Sequence, residues 1–292
     1  MKAIVMRAPA KINLTLDVTG IRPDGYHTIR SVMQTVDLCD RITVSICEQP
    51  GIVLSLSDPA LPTGRDNIAF RAAEVFMEQS GWRQGLNIEV EKHIPMQAGM
   101  AGGSADAAGV LVALGELSGA GIPTEELCAW GLRIGADVPF CIRGGCALAE
   151  GIGERLTPLP VLPECWIAVV KPEAGVSTAE AYRRVDRAIL SRRPDTETMA
   201  AALHKGDLAD AAQAVCNVFE EGMALEEVAA IRTAMRAYSP LGSQMTGSGS
   251  AVFALFEDES RACDCARALS GLGNTFVCRP WPAGPVREEA IV

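Results

Sequence analysis

A glycine-rich stretch between a strand and a helix, residues 92–110, constrains the fold of this chain more than any other part of its sequence. The residues before it alternate apolar and polar side chains with the period of a half-buried strand, and those after it form an apolar helical run. Gly99, Gly102 and Gly103 allow positive φ angles and a close backbone approach to a ligand. Ser104 and Asp106 stand where a helix N-cap is expected. The stretch therefore predicts a helix start whose free N–H groups suit a phosphate.

The same stretch is also compatible with a purely structural turn. It matches neither common nucleotide-binding fingerprint: no lysine follows the second loop glycine, as GxxxxGK[ST] requires, and GxGxxG with a later acidic residue is absent. If this stretch binds phosphate, it does so through a loop of a third type, different from both fingerprints.

Bulk composition excludes several classes of function. The chain has 292 residues, enough for one large or two ordinary domains, with 48% hydrophobic and 21% charged residues. Its formal net charge of −10 provides no overall attraction to nucleic acid or to an acidic membrane. No apolar run reaches the roughly 18 residues of a membrane span, and the N-terminus does not resemble a signal peptide. We expect a cytoplasmic protein with no nucleic-acid and no membrane partner.

The 10 cysteines are scattered along the chain. Only Cys263 and Cys265 are close together, and one CxC pair is a poor zinc signal. Without a secretory signal, we expect reduced and mostly buried thiols.

The first long strand pattern leaves two interpretations open. Residues 12–18 alternate apolar with polar side chains, and Lys11 and Asn13 share the polar parity. That face is either solvated or directed into a cleft. After a Pro-Asp-Gly turn, Tyr26 and His27 begin the next strand. Both a packing role and a functional role remain open for these two side chains.

The next elements are predicted from periodicity. Residues 28–38 and 41–47 are predicted to form a strand pair separated by Cys39-Asp40. Residues 67–78 are predicted to form an amphipathic helix with Asp66 available as its cap.

Asp137 is a carboxylate among small and apolar residues, beside a turn fixed by proline. An unpaired buried carboxylate is costly, so Asp137 needs a partner. A structural hydrogen bond to backbone amides and a functional carboxylate both remain possible on local grounds.

The pattern changes near residues 155–163, where we place a domain boundary, giving residues 1–157 and 158–292 as two domains. The second part alternates strands and helices, and residues 242–255 are a second glycine-rich element that opens a buried strand. A helix that carries Tyr182 is predicted to start near Thr178.

Four motifs occur together in this chain: Pro-Ala-Lys-Ile-Asn-Leu at 9–14, Pro-x-x-x-Gly-x-x-Gly-Gly-Ser at 95–104, Gly-Ala-Asp-Val-Pro-Phe at 135–140, and Thr-Gly-Ser-Gly-Ser at 246–250. Together they resemble the GHMP kinases, whose usual loop has Gly-Leu-Gly followed by Ser-Ser. Pro95, Gly99 and Ser104 fit that loop, whereas Met100-Ala101 and Ala105 depart from it. The departure affects only which hydroxyl would touch phosphate or metal.

The resemblance implies an α+β, two-domain GHMP kinase fold. The N-terminal domain would be a ribosomal-protein-S5-like ATP-binding domain and the C-terminal domain a ferredoxin-like α/β sandwich, with the active site in the cleft between them. With Arg-Pro-Asp-Gly-Tyr-His at 22–27, the chain is most similar to the branch that phosphorylates cytidyl diphospho-methylerythritol. The implied cofactors are ATP and Mg²⁺, the implied partner is that small-molecule substrate, and the protein would be a monomer or homodimer.

The resemblance also implies roles for individual residues. Asp137 would take the proton from the acceptor hydroxyl, and Lys11 would hold Asp137 ionised. Asn13, Tyr26, His27, Thr178 and Tyr182 would bind the acceptor substrate, with Tyr26 and Tyr182 stacking on cytosine. The ATP site would comprise Asn67, Lys92, Pro95, Met96, Gln97, Ala98, Gly99, Met100, Ala101, Gly102, Gly103, Ser104 and Asp106. Thr246, Gly247, Ser248 and Gly249 would close the cleft; no metal ligand is implied.

Two alternatives accompany this hypothesis. Another GHMP kinase, acting on mevalonate or homoserine, would lack the 22–27 turn. A non-catalytic ligand sensor of the same fold would be expected to have lost Lys11 or Asp137, and both are present.

Overall fold

The computed structural model describes residues 2–288. The strands are β1 (Ala3–Ile21), β2 (His27–Cys47), β3 (Ile52–Leu56), β4 (Gly85–Glu91), β5 (Cys146–Gly151), β6 (Arg155–Leu159), β7 (Trp166–Lys171), β8 (Cys216–Asn217), β9 (Gly242–Met245), β10 (Val252–Phe256), β11 (Asn274–Cys278) and β12 (Val286–Arg287). The α-helices are α1 (Ile68–Ser80), α2 (Gly102–Ser118), α3 (Thr124–Leu132), α4 (Val138–Arg143), α5 (Thr178–Val185), α6 (Thr196–Lys205), α7 (Leu208–Gln213), α8 (Val218–Met223), α9 (Glu226–Met235) and α10 (Glu259–Ala268). Short 3-10 helices lie at Arg236–Tyr238 and Ser270–Leu272.

Two sheets organise the chain and confirm the predicted α+β class. An 8-stranded sheet has the order β12-β1-β2-β4-β3, with β5 and β6 extending from β2 and β8 beside β1. A 4-stranded antiparallel sheet has the order β11-β7-β10-β9. The proposed domain boundary, 157/158, falls within β6 and stays a prediction. Because β8 and β12 pair with β1, the second part of the chain also contributes to the first sheet.

The predicted strand pair at residues 28–47 is wrong: β2 runs unbroken through Cys39-Asp40. Aspartate is typical of turns, but the Asp40 carboxylate is fully buried and accepts hydrogen bonds from the backbone N–H groups of His93 and Ile94. Its polarity is thus satisfied without a turn. The strand bends instead at an irregularity in its pairing with β1, between Pro9 and Ala10.

The polar face of β1 is not solvated. Lys11, Asn13 and Thr15 on this face are buried, and so are Ile12 and Leu14 on the opposite face. A strand that is buried on both faces needs partners for its polar side chains. Those partners come from both parts of the chain, with Gly99 and Ser31 in the first part and Thr246 and Gly247 in the second.

The helix starts differ from their predictions in two places. Asn67, rather than Asp66, caps α1 by accepting the backbone N–H of Ala69 at 2.9 Å. The helix α2 begins at Gly102, directly after Ala101 at φ 59°, so Ser104 and Asp106 lie inside the helix and are not its N-cap. A left-handed residue turns the backbone sharply enough to start the helix without a side-chain cap.

The remaining predictions of elements are largely confirmed. The helix that carries Tyr182 starts at Thr178, and the buried strand that the second glycine-rich element opens is β10. β9, at Gly242–Met245 in the same element, was not predicted. The cysteines are free thiols, and most are buried. Within residues 2–288, no helix is long and apolar enough to cross a membrane.

Candidate active site

A cavity of about 670 Å³ lies where the two glycine-rich elements meet. Its wall contains most of the predicted site residues: Lys11, Asn13, Tyr26, His27, the loop residues Pro95, Met96, Gln97, Ala98, Gly99, Met100, Ala101, Gly102, Gly103 and Ser104, then Asp137, Thr178, Tyr182, Gly247, Ser248 and Gly249. Apolar side chains that the sequence analysis did not single out, among them Met33, Val176 and Phe219, complete the wall. At least six segments that are far apart in sequence therefore contribute to one site.

The loop of residues 95–101 has its carbonyl groups engaged by neighbouring elements. Gln97 and Ala98 accept the N–H groups of Ser250 and Ala251, and Met100 accepts the N–H of Lys11. Gln97, Gly99 and Ala101 all have positive φ, at 50°, 72° and 59°. The first N–H groups of an α-helix have no partner within the helix. Because Gly102 to Ser104 line the cavity, the start of the 17-residue α2 presents an anion-binding end to it.

Lys11 is the cation at the centre of a buried network. Its Nζ donates to Asn13 Oδ1 at 2.6 Å and to the Gly99 carbonyl at 2.8 Å. Burial lowers the pKa of Lys11 below its ordinary value, and the nearby Asp137 carboxylate opposes that change. The Asp137 charge therefore favours the protonated form of Lys11.

Asn13 links Lys11 to the second glycine-rich element. Its Oδ1 accepts the backbone N–H of Gly247 at 3.0 Å, and its own N–H donates to Thr246 Oγ1 at 3.0 Å. Its Nδ2 donates to Ser31 Oγ at 2.8 Å. With its carbonyl oxygen shared between Lys11 and Gly247, Asn13 has a fixed orientation. Thr246 is predicted to close the cleft but lies behind the cavity wall, holding Asn13 and Gly99.

Asp137 stands at the N-cap position of α4 and lines the cavity. Its side chain makes no capping hydrogen bond to that helix. The structural alternative left open by the sequence, a carboxylate used to bind backbone amides at the helix start, is therefore not what the structure contains. Asp137 is free to accept a proton or a hydrogen bond from a molecule in the cavity.

The aromatic end of the cavity differs in detail from its prediction. Tyr182 stacks on His27 with ring centroids 4.3 Å apart, and Phe219 meets Tyr182 edge-on at 4.9 Å. Tyr26 lies at the rim of the cavity and is 63% exposed, and its stacking on cytosine opposite Tyr182 stays a prediction. His27 Nε2 lies 2.9 Å from Asp186 Oδ1, a partner that the sequence did not indicate.

Thr178 joins the aromatic end to the second glycine-rich element through its Oγ1, 3.3 Å from Ser248 Oγ. Burial raises the pKa of Tyr182 to about 12, with a smaller contribution from the Asp137 carboxylate. Tyr182 is therefore a neutral phenol at physiological pH.

Three residues predicted to bind ATP lie outside the cavity wall: Asn67, Lys92 and Asp106. Lys92 bridges Asp40 and Asp106 in a buried ion cluster, with 2.7 Å between its Nζ and Asp106 Oδ2. Asn67 donates to the Pro62 carbonyl in addition to capping α1. Lys92 and Asp106 thus support the loop and α2, Asn67 supports α1, and direct contact of these three side chains with a nucleotide stays a prediction.

Two family models match this chain. The GHMP kinase N-terminal domain matches residues 67–145, and the GHMP kinase C-terminal domain matches residues 199–275. A 4-diphosphocytidyl-2-C-methyl-D-erythritol kinase from Caldicellulosiruptor saccharolyticus is 42% identical over 268 residues, covering 91% of this chain and 92% of that protein.

Solved structures give the same family. The crystal structure of a 4-(cytidine 5′-diphospho)-2C-methyl-D-erythritol kinase has a TM-score of 0.81 at 37% identity, covering 94% of this chain and 98% of that one. The homoserine kinase from Cytophaga hutchinsonii has the same TM-score of 0.81 at 19% identity, covering 99% and 98%, which is evidence for the fold alone. The chain therefore belongs to the GHMP kinase family. Within it, the chain belongs with the 4-diphosphocytidyl-2-C-methyl-D-erythritol kinases.

Proposed function

We propose that this protein transfers the γ-phosphoryl group of ATP to the 2-hydroxyl of 4-diphosphocytidyl-2-C-methyl-D-erythritol, in the non-mevalonate route to isoprenoids. The observation that carries the proposal is that one cavity contains a helix start suited to phosphate, the pair Lys11 and Asp137, and the stacked rings of His27 and Tyr182. A cytidine diphosphate ester of a polyol presents a flat base, phosphates and hydroxyls. Each of these groups has a chemically matched partner in the cavity.

Phosphoryl transfer depends on positioning and charge neutralisation more than on covalent catalysis. In the proposed reaction Asp137 accepts the proton of the attacking hydroxyl, because its carboxylate faces the cavity without a capping bond. Lys11 offsets the charge of the phosphoryl group in transfer. Its two hydrogen bonds, to Asn13 and Gly99, hold the ammonium in place.

A magnesium ion is part of the proposal. Within the described residues, no group of three or more His, Cys, Asp or Glu could hold a metal by itself. This fits Mg²⁺, which keeps several waters and uses one or two protein oxygens together with substrate phosphates. The Ser104 hydroxyl is an oxygen of the cavity wall that would hold it together with the substrate phosphates. The ion would neutralise charge on the phosphates.

Two further parts of the hypothesis stay predictions. These are a cytoplasmic location and a monomeric or homodimeric state.

Shape does not separate this function from that of other GHMP kinases, since a homoserine kinase matches with an equal TM-score of 0.81. An acceptor panel does separate them. Purified protein is incubated with Mg²⁺ and ATP plus the cytidyl diphospho-methylerythritol, mevalonate or homoserine, and ADP release is followed. We expect release with the cytidyl compound alone. Release only with another acceptor would move the substrate assignment, and release with none would favour a non-catalytic sensor.

A further inference from the structure

The second glycine-rich turn, Thr246–Gly249, is held from behind by side chains of the segment that follows β8. Asn217 is buried, and its Nδ2 donates to the carbonyls of Met245 and Gly247, each at 2.8 Å. These two carbonyls flank Thr246. One amide group therefore clamps the backbone on both sides of the residue that contacts Asn13.

Asn217 itself is fixed from two directions. Its Oδ1 accepts the backbone N–H of Phe219 at 3.0 Å and so caps α8. Its backbone pairs with Leu16 of β1, in the same strand as Lys11 and Asn13. The clamp is thus built on the strand that carries the catalytic lysine.

Glu220 fixes the entrance to the same turn. Its Oε2 accepts the backbone N–H of Met245 at 2.8 Å and Gln244 Nε2 at 2.6 Å, while Oε1 pairs with Arg232. Asn13 connects the turn to Lys11. Its Oδ1 accepts the backbone N–H of Gly247 at 3.0 Å and Lys11 Nζ at 2.6 Å. Neither Asn217 nor Glu220 lines the active-site cavity.

We propose that Asn217 and Glu220 are positioning residues for phosphoryl transfer, which act through the 246–249 turn on Asn13 and Lys11. This inference rests on the proposed function. Since neither residue meets the substrate, their loss displaces Lys11 without removing any group that touches a ligand. A displacement on the order of 1 Å at a catalytic group costs up to about a hundredfold in rate.

Asn217→Ser is the primary variant. Serine is a comparable N-cap, so the cap of α8 is retained, but its hydroxyl is too short to reach the two carbonyls. Glu220→Ala releases the turn from its other end. Asp195→Ala is the matched control, because Asp195 caps α6 by accepting Thr198 N–H at 2.9 Å and its side chain has no contact with the turn.

Three readouts distinguish positioning from general destabilisation. We expect kcat to fall about tenfold or more in Asn217→Ser and Glu220→Ala, while Asp195→Ala keeps the wild-type kcat. The inhibition constant of cytidine 5′-diphosphate, which reports the aromatic end of the cavity, should be unchanged. Amide hydrogen exchange of the 245–251 segment should accelerate in both variants and not in the control.

A kcat equal to that of Asp195→Ala in both variants, or unchanged exchange of the turn, would overturn the proposal. The exchange measurement needs no substrate. It therefore still tests the clamp if the wild-type protein releases ADP with none of the acceptors, an outcome that would overturn the proposed function instead.

Discussion

Gly99 and Gly247 pack backbone against backbone where the two glycine-rich elements meet. A Cβ on Gly247 would stand 2.6 Å from the Gly99 carbonyl oxygen, and a Cβ on Gly99 would stand 2.2 Å from that of Thr246. Both residues also have positive φ. The loop of residues 95–101 and the second turn are therefore in direct contact, and only glycine permits this approach.

Gly99→Ala should separate the two elements. Gly81 has nearly the same φ, 74° against 72°, but open space around its Cβ position, so Gly81→Ala measures the backbone strain alone. We expect Gly81→Ala to cost about 1 kcal/mol of unfolding free energy, and Gly99→Ala to cost at least about 1 kcal/mol more. Urea unfolding and ATP titration of both variants check this. Equal losses of stability with unchanged ATP affinity would contradict the close contact.

The interaction between Asp137 and Lys11 can be measured without turnover. Burial lowers the pKa of Lys11, and the Asp137 carboxylate partly offsets this. Removing the charge in Asp137→Asn should therefore lower the pKa of Lys11 further. NMR titration of the lysine side chains, with Lys11 assigned through Lys11→Arg, reports the value. A pKa that rises or stays constant in Asp137→Asn would mean that the two charges do not interact.

The buried cluster beneath the loop should make stability depend on pH. Burial and the neighbouring Asp40 carboxylate raise the pKa of Asp106 well above its ordinary value, and Asp106 Oδ1 has no hydrogen-bond partner in the described structure. Between the unfolded and the folded pKa of Asp106, the folded protein therefore binds more protons than the unfolded chain does. This contribution to stability is complete below the unfolded pKa of about 3.9 and is lost as pH rises through the folded pKa.

Asp106→Asn, which is neutral at every pH, should remove that slope from the unfolding free energy measured between pH 4 and 8. Asp40→Ala should instead destabilise the protein at every pH in this range, since it leaves the N–H groups of His93 and Ile94 without their acceptor. An unchanged slope in Asp106→Asn would show that Asp106 is ionised when folded.

Tyr182 should determine acceptor binding through its ring and not through its hydroxyl. The phenol is neutral below its pKa of about 12, so Tyr182→Phe preserves both stacking and charge. Tyr182→Ala should raise KM for the acceptor about tenfold, in line with base–aromatic stacking of about 1–3 kcal/mol, and leave KM for ATP unchanged. Tyr238→Ala, at a tyrosine outside the cavity, is the control. An acceptor KM that rises equally in Tyr182→Phe would assign the role to the hydroxyl.

The sequence indicated Lys11, Asn13, Asp137 and the loop because each belongs to a short motif with local chemistry. Glycines 99, 102 and 103 predict a loop, and a strand with Lys11 and Asn13 on its polar face permits a cleft. Local patterns failed where a distant partner decides the structure. From the sequence alone Asp40 is typical of a turn. In the fold its carboxylate accepts the backbone N–H groups of His93 and Ile94, so it can lie within a strand.

The roles of Asn217 and Glu220 could not be predicted from the sequence either. Their partners, Met245 and Gly247, lie more than twenty residues away, and nothing in the neighbouring sequence signals the clamp. Asp186, which pairs with His27 over 159 residues, was missed for the same reason. Side chains whose role is to hold another backbone in place are found from the fold, since their own residue type fits many surroundings.

The most direct test of the account is single-turnover phosphoryl transfer from γ-labelled ATP to the cytidyl diphospho-methylerythritol, with wild-type protein and Asp137→Asn compared at saturating ligand. Asparagine keeps the shape of the side chain and removes its ability to accept the proton. We expect transfer by the wild-type protein and a rate lower by about a hundredfold or more in the variant, with ATP and acceptor still bound. Transfer within a few-fold of the wild-type rate would show that Asp137 is not the base.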